Sequence, residues 1–257
     1  MPTTTIPAPI LAALALADAS WRPHLVAGLE AMLRATPDYL PTLAADDYLP
    51  NGGRLFAAFA LPLAQVRYVL MGEGPYPRAE SATGVCFMDG AVGSLWSEAG
   101  LSKPVNRATS LRNFMKMLLV ADGQLTIDDT GGAALAPIAQ AATSGNATIQ
   151  TLPELQDKLL DQGFLLLNAS LVFRKHVAPV VDARAWIPFQ QAVFAALAAC
   201  EAKPTLILWG KIAEQLKKIP ETAGLPSVQS EHPYNLSFIG HEGMQQLFGP
   251  MHLLHRR

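Results

Sequence analysis

Four short runs of apolar and β-branched residues recur along the chain, and each has a helical pattern before or after it. The runs are Val66–Met71, Phe164–Leu167, Leu206–Trp209 and Val228–Ser230. Nearly continuous apolar strands that alternate with helices are typical of a parallel sheet covered on both faces. The pattern therefore predicts an α/β fold, a three-layer α/β/α sandwich around a central parallel four-stranded sheet.

The remaining pattern predicts helices and two insertions. Apolar residues at helical spacing predict helices at Pro23–Arg34, Arg54–Phe59, Ser110–Val120, Leu152–Gln162, Trp186–Cys200, Ile212–Ile219 and after Gly243. Residues 89–106 are rich in Gly, Ser and Pro, and residues 122–151 contain several Gly and Asp residues with only a weak apolar helix between them. Both segments are predicted as loop insertions, of the kind that form lids or binding loops. Because no repeat or linker divides the chain, residues 1–257 are predicted to be a single domain.

Composition narrows the class of protein. The chain has 257 residues, half of them apolar, and a formal net charge of −2, which argues against a protein that coats nucleic acid by charge alone. Cys86 and Cys200 form no CxxC pair, which excludes a zinc finger or a four-thiolate cluster and indicates a reducing, cytoplasmic setting. The apolar run Pro9–Ala17 is too short to span a bilayer, and we expect a helix there.

The predicted strand ends are followed directly by side chains that can do chemistry. Glu73 and Tyr76 follow the first strand, Asn168 ends the second and His232 follows the fourth. In parallel α/β sheets, ligands bind beyond the carboxyl ends of the strands. We therefore expect the functional site at this edge of the sheet.

The sequences at these strand ends are similar to the motifs of a known family. Residues 72–77 read GEGPYP, residues 165–168 read LLLN and residues 232–237 read HPYNLS. They resemble the GQDPYH, LLLN and HPSPLS motifs of the classical uracil-DNA glycosylases, and the match extends over nearly the whole chain. The resemblance implies the fold predicted above and an enzyme that hydrolyses the N-glycosidic bond of uracil in DNA.

The resemblance also implies roles for five side chains. Asn168 would read the N3–H and O4 edge of uracil, since an amide offers one donor and one acceptor. Phe87 would stack on the flipped base, and the ring of Tyr76 would exclude the methyl group of thymine. His232 would stabilise the negative charge on the departing base, and Leu236 would wedge into the duplex.

Further residues are expected to contact DNA. By the resemblance, Pro104, Ser110 and Ser237 lie near loops that pinch the phosphate backbone. Basic residues near the strand ends, among them Arg174 and Lys217, are candidates for phosphate contacts. The resemblance implies a monomer that acts on uracil-containing DNA, single- or double-stranded, and needs neither a metal nor an organic cofactor; no membrane partner is expected.

The first motif departs from the family pattern. Gly74 stands where the family has the Asp that activates water, Glu73 replaces Gln and Pro77 replaces His. Gly-Glu-Gly-Pro is closer to the GE(A/G)PG motif of the iron–sulfur branch, whose cysteines this chain lacks. One hypothesis is that Glu73 positions the water. The alternatives are a catalytically weak or inactive protein that binds DNA or a protein partner, and a glycosylase for another base such as a deaminated purine.

Overall fold

The central sheet has the predicted topology. The computed structural model describes residues 5–256, which contain the strands β1 (Tyr68–Gly72), β2 (Trp96–Ser97), β3 (Gly100–Leu101), β4 (Phe164–Asn168), β5 (Thr205–Trp209) and β6 (Ser227–Ser230). Four of them form one parallel sheet in the order β4-β1-β5-β6, and β2 pairs with β3 in a separate antiparallel hairpin. The predicted α/β fold, with a parallel four-stranded sheet flanked by helices, is confirmed.

The helices also follow the sequence pattern. The α-helices are α1 (Ala8–Ala13), α2 (Arg22–Ala35), α3 (Tyr39–Ala44), α4 (Lys103–Arg107), α5 (Thr109–Ala121), α6 (Gly132–Ser144), α7 (Leu152–Asp161), α8 (Pro179–Ala185), α9 (Ile187–Ala199), α10 (Ile212–Leu216) and α11 (Glu242–Phe248). The helix predicted at Arg54–Phe59 is instead a 3-10 helix, Arg54–Ala60, because Phe56 and Phe59 leave helical φ/ψ values. Among residues 5–256, no helix has both the length and the hydropathy needed to cross a bilayer.

The chain divides into two compact units, which we describe separately. The first unit contains the residues up to Asp89, Gly163–Leu208 and Ile212–Ser227. The second unit contains Gly90–Gln162, Trp209–Lys211 and the residues from Val228 onward. The predicted single domain includes residues 1–4 and 257, which lie outside the described part of the chain, and it stays a prediction.

An aromatic cluster forms the core of the first unit. Helices α2 and α9 pack against each other, and the side chain of Phe189 in α9 contacts the rings of Phe56, Phe59 and Trp186. These four rings are fully buried. The burial of such large apolar side chains is the main favourable term that holds the unit together.

A buried ion pair in the first unit corrects one expectation. The guanidinium of Arg174 lies 2.6 Å from Asp182 and 3.1 Å from Asp46, and the Arg174 side chain is only 6% exposed. The hydroxyl of Tyr39 donates to Asp182 at 2.6 Å. Arg174 is therefore buried against Asp182 and the half-buried Asp46, and its expected contact with DNA phosphates is wrong. The second candidate, Lys217, forms an exposed ion pair at 2.7 Å with Glu214.

The second unit is built around Trp209, at the end of β5. The Trp209 ring packs against Phe114 of α5, Phe238 and Phe248 of α11. These contacts join α5 and α11 to the 3-10 helix Leu236–Gly240, which contains the last two residues of the third motif. The segment that carries this motif is therefore backed by a rigid core.

The two predicted insertions are folded rather than open loops. Residues 89–106 contain β2, β3 and α4, and residues 122–151 contain α6, which packs against both strands of the hairpin. The indole N–H of Trp96 donates to the Ile149 carbonyl at 2.8 Å, and the Leu95 N–H donates to the Gln150 carbonyl at 2.8 Å. The apolar residues of each segment bury those of the other, which the sequence pattern did not reveal.

Helix α7 begins with a capping box, and the Glu154 carboxylate in it predicts that the stability of the fold depends on pH. Although burial would raise the pKa of Glu154, the Gln150 N–H, Arg256 and Thr151 lower it to about 2, from an ordinary value of 4.5. A lowered carboxylate pKa stabilises the fold above about pH 4.5, and this contribution is lost as the pH falls toward 2. We expect Glu154→Gln to lower the urea midpoint at pH 7 and to have little effect near pH 2.

The matched control for this prediction is Glu214→Gln, at an exposed ion pair. Its urea midpoint should differ little from that of the wild type at either pH, because exposed pairs contribute little to stability. A Glu154→Gln midpoint that is reduced equally at pH 7 and pH 2 would contradict the assignment.

Candidate functional site

The carboxyl ends of β1 and β4 meet in the first unit. Gly72 is paired with Asn168, the last residue of β4. Beyond the strands, the Ala169 N–H donates to the Gly72 carbonyl at 2.8 Å, and the Ser170 N–H donates to the Glu73 carbonyl at 3.1 Å. The first two motifs are thus held side by side by main-chain hydrogen bonds.

The Asn168 side chain occupies space that only a glycine leaves free. A Cβ atom on Gly72 would lie 2.5 Å from Oδ1 of Asn168 and 2.7 Å from Cβ of Cys86. Asn168 is only 3% exposed. From α9, the side-chain amide of Gln190 donates to the Asn168 carbonyl at 2.9 Å, which fixes the backbone of this residue. The amide of Asn168 is therefore buried and closely surrounded.

Phe87 has an unusual backbone conformation beside this amide. Its φ is +67°, in the left-handed region that non-glycine residues rarely adopt. The preceding Cys86 is buried, and its N–H donates to the Leu166 carbonyl of β4 at 3.1 Å. The Tyr76 hydroxyl donates to the Phe87 carbonyl at 3.3 Å. Strained residues of this kind cluster at binding sites, where the surrounding structure holds the side chain in place.

The Tyr76 hydroxyl stays neutral over the physiological range. Burial, reinforced by the negative charge of Asp89, raises the pKa of Tyr76 to about 12. The ring is half-buried and joins the loop after β1 to the Phe87 backbone. The structure therefore joins Tyr76 to the Phe87 backbone, and Cys86, the neighbour of Phe87, lies with the Asn168 side chain beside Gly72.

The residues of the first motif that differ from the family pattern line a cavity of about 520 Å³ in the first unit. Glu73, Gly74 and Ser170 are among the residues that line it, whereas Asn168, Phe87 and Tyr76 do not line it. A Cβ atom on Gly74 would find no neighbour nearer than 3.8 Å. The position of the missing carboxylate is therefore open space, next to the exposed carboxylate of Glu73.

In the second unit, a main-chain hydrogen bond within the third motif orients the His232 ring. The Tyr234 N–H donates to Nδ1 of His232 at 3.1 Å. Since Nδ1 accepts this bond, a neutral imidazole carries its proton on Nε2 and presents an N–H donor there. A Cβ atom on Gly210 would lie 3.0 Å from Cβ of His232, so the glycine after β5 allows this close approach.

A buried amide holds the loop that follows His232. The Asn113 side chain, which is fully buried in α5, donates to the Pro233 carbonyl at 2.7 Å and lies within 3.4 Å of the next two carbonyls. Past this anchor, the side chains of Tyr234 and Leu236 are 68% and 69% exposed. The loop thus combines a rigid base with two apolar side chains in solvent.

The other predicted residues of the second unit lie at its surface. Ser237 is exposed at the end of the third motif, in the 3-10 helix Leu236–Gly240, and its hydroxyl and His241 lower the pKa of Glu231. Ser110 lies half-buried in the first turn of α5, and Pro104 is exposed in α4.

Three positioning residues were not identified from the sequence. Gly72 provides space for the Asn168 side chain, Gln190 holds the Asn168 backbone, and Asn113 holds the loop after His232. A polar amide within the otherwise apolar patterns of α5 and α9 was the available signal for Asn113 and Gln190. The missed glycine could be recognised only once the register of β1 and β4 was known.

Comparison with known proteins finds relatives that share one name. No protein-family model matches the chain. Curated proteins named uracil-DNA glycosylase are similar to it: the one from Nocardioides sp. is 29% identical over 194 residues, covering 76% of this chain and 68% of that protein. The one from Phocaeicola vulgatus is 29% identical over 223 residues, covering 86% and 85%.

A solved structure shows a stronger similarity. The wild-type UNG from Nitratifractor salsuginis is 42% identical and superposes with a TM-score of 0.87, covering 95% of this chain and 96% of that one. The uracil-DNA glycosylase of mimivirus is 15% identical with a TM-score of 0.53, which supports the fold alone.

The anchoring of the third-motif loop predicts a local effect of mutation. We expect Asn113→Ala to destabilise the protein by about 1–3 kcal/mol, because the Pro233 carbonyl loses its buried donor. Amide hydrogen exchange of residues 232–237 should become faster, as measured by mass spectrometry. The control is Asn146→Ala at an exposed position, where neither quantity should change. Unchanged exchange in Asn113→Ala would show that the loop is held by other contacts.

Proposed function

This chain belongs to the uracil-DNA glycosylase superfamily, and we infer from this that it is a hydrolase that removes uracil from DNA in base excision repair. In this reaction a water molecule attacks C1′ of the deoxyribose, the bond from C1′ to N1 of uracil breaks, and an abasic site remains. The electron pair of the broken bond leaves with the base. Catalysis therefore requires a pocket for the base, stabilisation of its negative charge, and a positioned water.

We propose that Asn168 reads the base. The proposal is supported by its position at the end of β4, its burial and the fixed backbone that Gln190 and Gly72 provide. A buried amide of fixed orientation discriminates strongly, since a base with the opposite pattern of donors and acceptors leaves it unpaired. Uracil and cytosine differ in this way at the edge that Asn168 would meet.

We propose that Phe87 stacks on the base and that Tyr76 excludes a 5-methyl group. The positive φ of Phe87 supports this role, because strained backbone conformations persist where the surrounding structure holds them and cluster at binding sites. The hydrogen bond from Tyr76 to the Phe87 carbonyl holds the Tyr76 ring against the Phe87 backbone. A ring held in this way forms a stiff wall, which rejects a methyl group by steric contact.

We propose that His232 donates a hydrogen bond to the departing base from Nε2. The main-chain donor at Nδ1 supports a neutral imidazole with this tautomer. A fixed donor that meets charge as it develops stabilises the transition state more than the ground state. The role of His232 thus depends on the conformation of residues 232–234.

We propose that Leu236 enters the duplex in place of the flipped nucleotide. Its 69% exposure, on a loop anchored by Asn113, supports a wedge because the side chain is presented without first leaving a core. Pro104, Ser110 and Ser237 are proposed to contact the DNA backbone, from the resemblance and from their position at the surface of the second unit.

We propose that Glu73 positions the attacking water in place of the family's Asp. Its carboxylate is exposed, borders the cavity next to Gly74 and follows directly on β1. A cytoplasmic location, with both cysteines as free thiols, is part of the same proposal. Gly74 keeps open the alternative of a protein that binds DNA without cleaving it.

Single-turnover release of uracil from an oligonucleotide tests these roles. Glu73→Ala and Glu73→Gln should both slow release by about a hundredfold, the low end for loss of a general base. His232→Ala should slow it by about a hundredfold to a thousandfold, as for removal of an oxyanion donor. Asn168→Ala should weaken selection of uracil over cytosine.

Glu80→Ala and His176→Ala, at exposed side chains away from the motifs, are the matched controls and should release uracil at the wild-type rate. Wild-type activity in Glu73→Gln would refute the role of the carboxylate. Absence of release by the wild type at high enzyme, with DNA binding intact, would establish the binding protein.

Restoring the family residue gives a second prediction. We expect Gly74→Asp to fold normally, because its Cβ has space, and to release uracil about tenfold faster or more, because it adds a carboxylate at the water side of the site. Gly74→Asn, of the same size without the charge, is the control and should not gain. A loss of activity in both variants would mean that the open space at Gly74 is itself needed.

A further inference from the structure

Three metal-ligating side chains converge in the second unit, where helix α5 ends and the C-terminal segment passes it. Asp122 is the residue after α5, and His252 and His255 lie near the end of the chain. One ligand atom from each residue lies within 4.8 Å of the others. We propose that Asp122, His252 and His255 bind one divalent transition-metal ion, and that Zn²⁺ is the ion they fit.

The distances between the ligand atoms suit a tetrahedral ion. Oδ1 of Asp122 lies 3.0 Å from Nδ1 of His252, and Oδ2 lies 3.2 Å from Nε2 of His255. Two ligands at about 2.0–2.1 Å from Zn²⁺ in tetrahedral geometry are about 3.3 Å apart. Each carboxylate–imidazole separation is therefore close to the tetrahedral spacing. Because the two rings approach different oxygens of Asp122, a shared ion would bind after a small rotation of the carboxylate or of the rings.

The backbone holds these side chains in place without an ion. The Asp122 side chain is only 5% exposed, although both histidines reach solvent. His252 has a φ of +46°, and this turn brings its ring within 5.5 Å of the His255 ring. Between them, Leu253 and Leu254 are buried, and the Ile149 N–H donates to the Leu254 carbonyl at 3.0 Å. Little ordering would be required on binding.

The types of ligand atom in this cluster indicate which metal ion it would bind. Two imidazoles and one carboxylate suit Zn²⁺ and its neighbours in the first transition row, whereas Mg²⁺ and Ca²⁺ prefer oxygen ligands throughout. The side-chain amide of Gln124 lies 3.5 Å from Nε2 of His255. Rotation of that amide would present its oxygen, so Gln124 or a water molecule can complete four ligands.

The competing interpretation is a cluster of hydrogen bonds and ion pairs without a metal. In that case each imidazole uses a ring N–H toward Asp122, whereas metal binding needs the lone pairs of those same nitrogens and displaces the protons. The two interpretations therefore differ in stoichiometric metal uptake. Neither depends on the glycosylase reaction, so the test is independent of the proposed function.

The experiment uses the full chain without an affinity tag, freed of metal by EDTA and dialysed. In calorimetric titration at pH 7.5 we expect one Zn²⁺ per chain. At about 100 times the dissociation constant, Zn²⁺ should raise Tm by about 5–10 °C. Co²⁺ should bind at the same site and develop the visible absorption of a tetrahedral complex.

His252→Asn and His255→Gln test the ligands, with Asn chosen because it tolerates the left-handed conformation of His252. Each should weaken Zn²⁺ binding at least tenfold, and the double variant should abolish the Tm shift. His24→Gln, in α2 of the first unit, is the matched control and should bind Zn²⁺ as the wild type does. Absence of stoichiometric Zn²⁺ uptake by the wild type, or equal uptake by the folded double variant, would overturn the proposal.

Discussion

The parallel pairing of β1 with β4 is the constraint on which the candidate site depends. It sets Gly72 beside Asn168, so the amide can lie in a space where any other residue at position 72 would put a Cβ atom. The same pairing continues past the strands and fixes the backbone of Glu73 against Ser170. Residues far apart in sequence thus reach one place through a few main-chain hydrogen bonds.

The sheet and most helices could be predicted from sequence because their signals are local. β4 is buried along its whole length and therefore reads as an unbroken apolar run. Arg174 was misread because its partner Asp46 lies 128 residues away, and no local pattern marks such a pair. The two-residue strands β2 and β3 are too short to show a period. The motif residues were found by resemblance, whereas the residues that support them required coordinates.

In the third motif, the loop conformation determines which ring nitrogen of a neutral His232 carries the proton. The main-chain donor that makes Nδ1 of His232 an acceptor belongs to the loop that Asn113 anchors. With Nδ1 accepting this bond, the proton of a neutral ring lies on Nε2. In this arrangement the backbone fixes the tautomer of the histidine, a task that many enzymes give to a second side chain.

The interlocking of residues 89–106 with residues 122–151 constrains how this protein can change in length. The Leu95 N–H donates to the Gln150 carbonyl, and the indole N–H of Trp96 donates to the Ile149 carbonyl. Deletion of either segment would leave the other with uncovered apolar surface and unpaired main-chain groups. We expect natural variants to gain or lose the two stretches jointly, as a single inherited module.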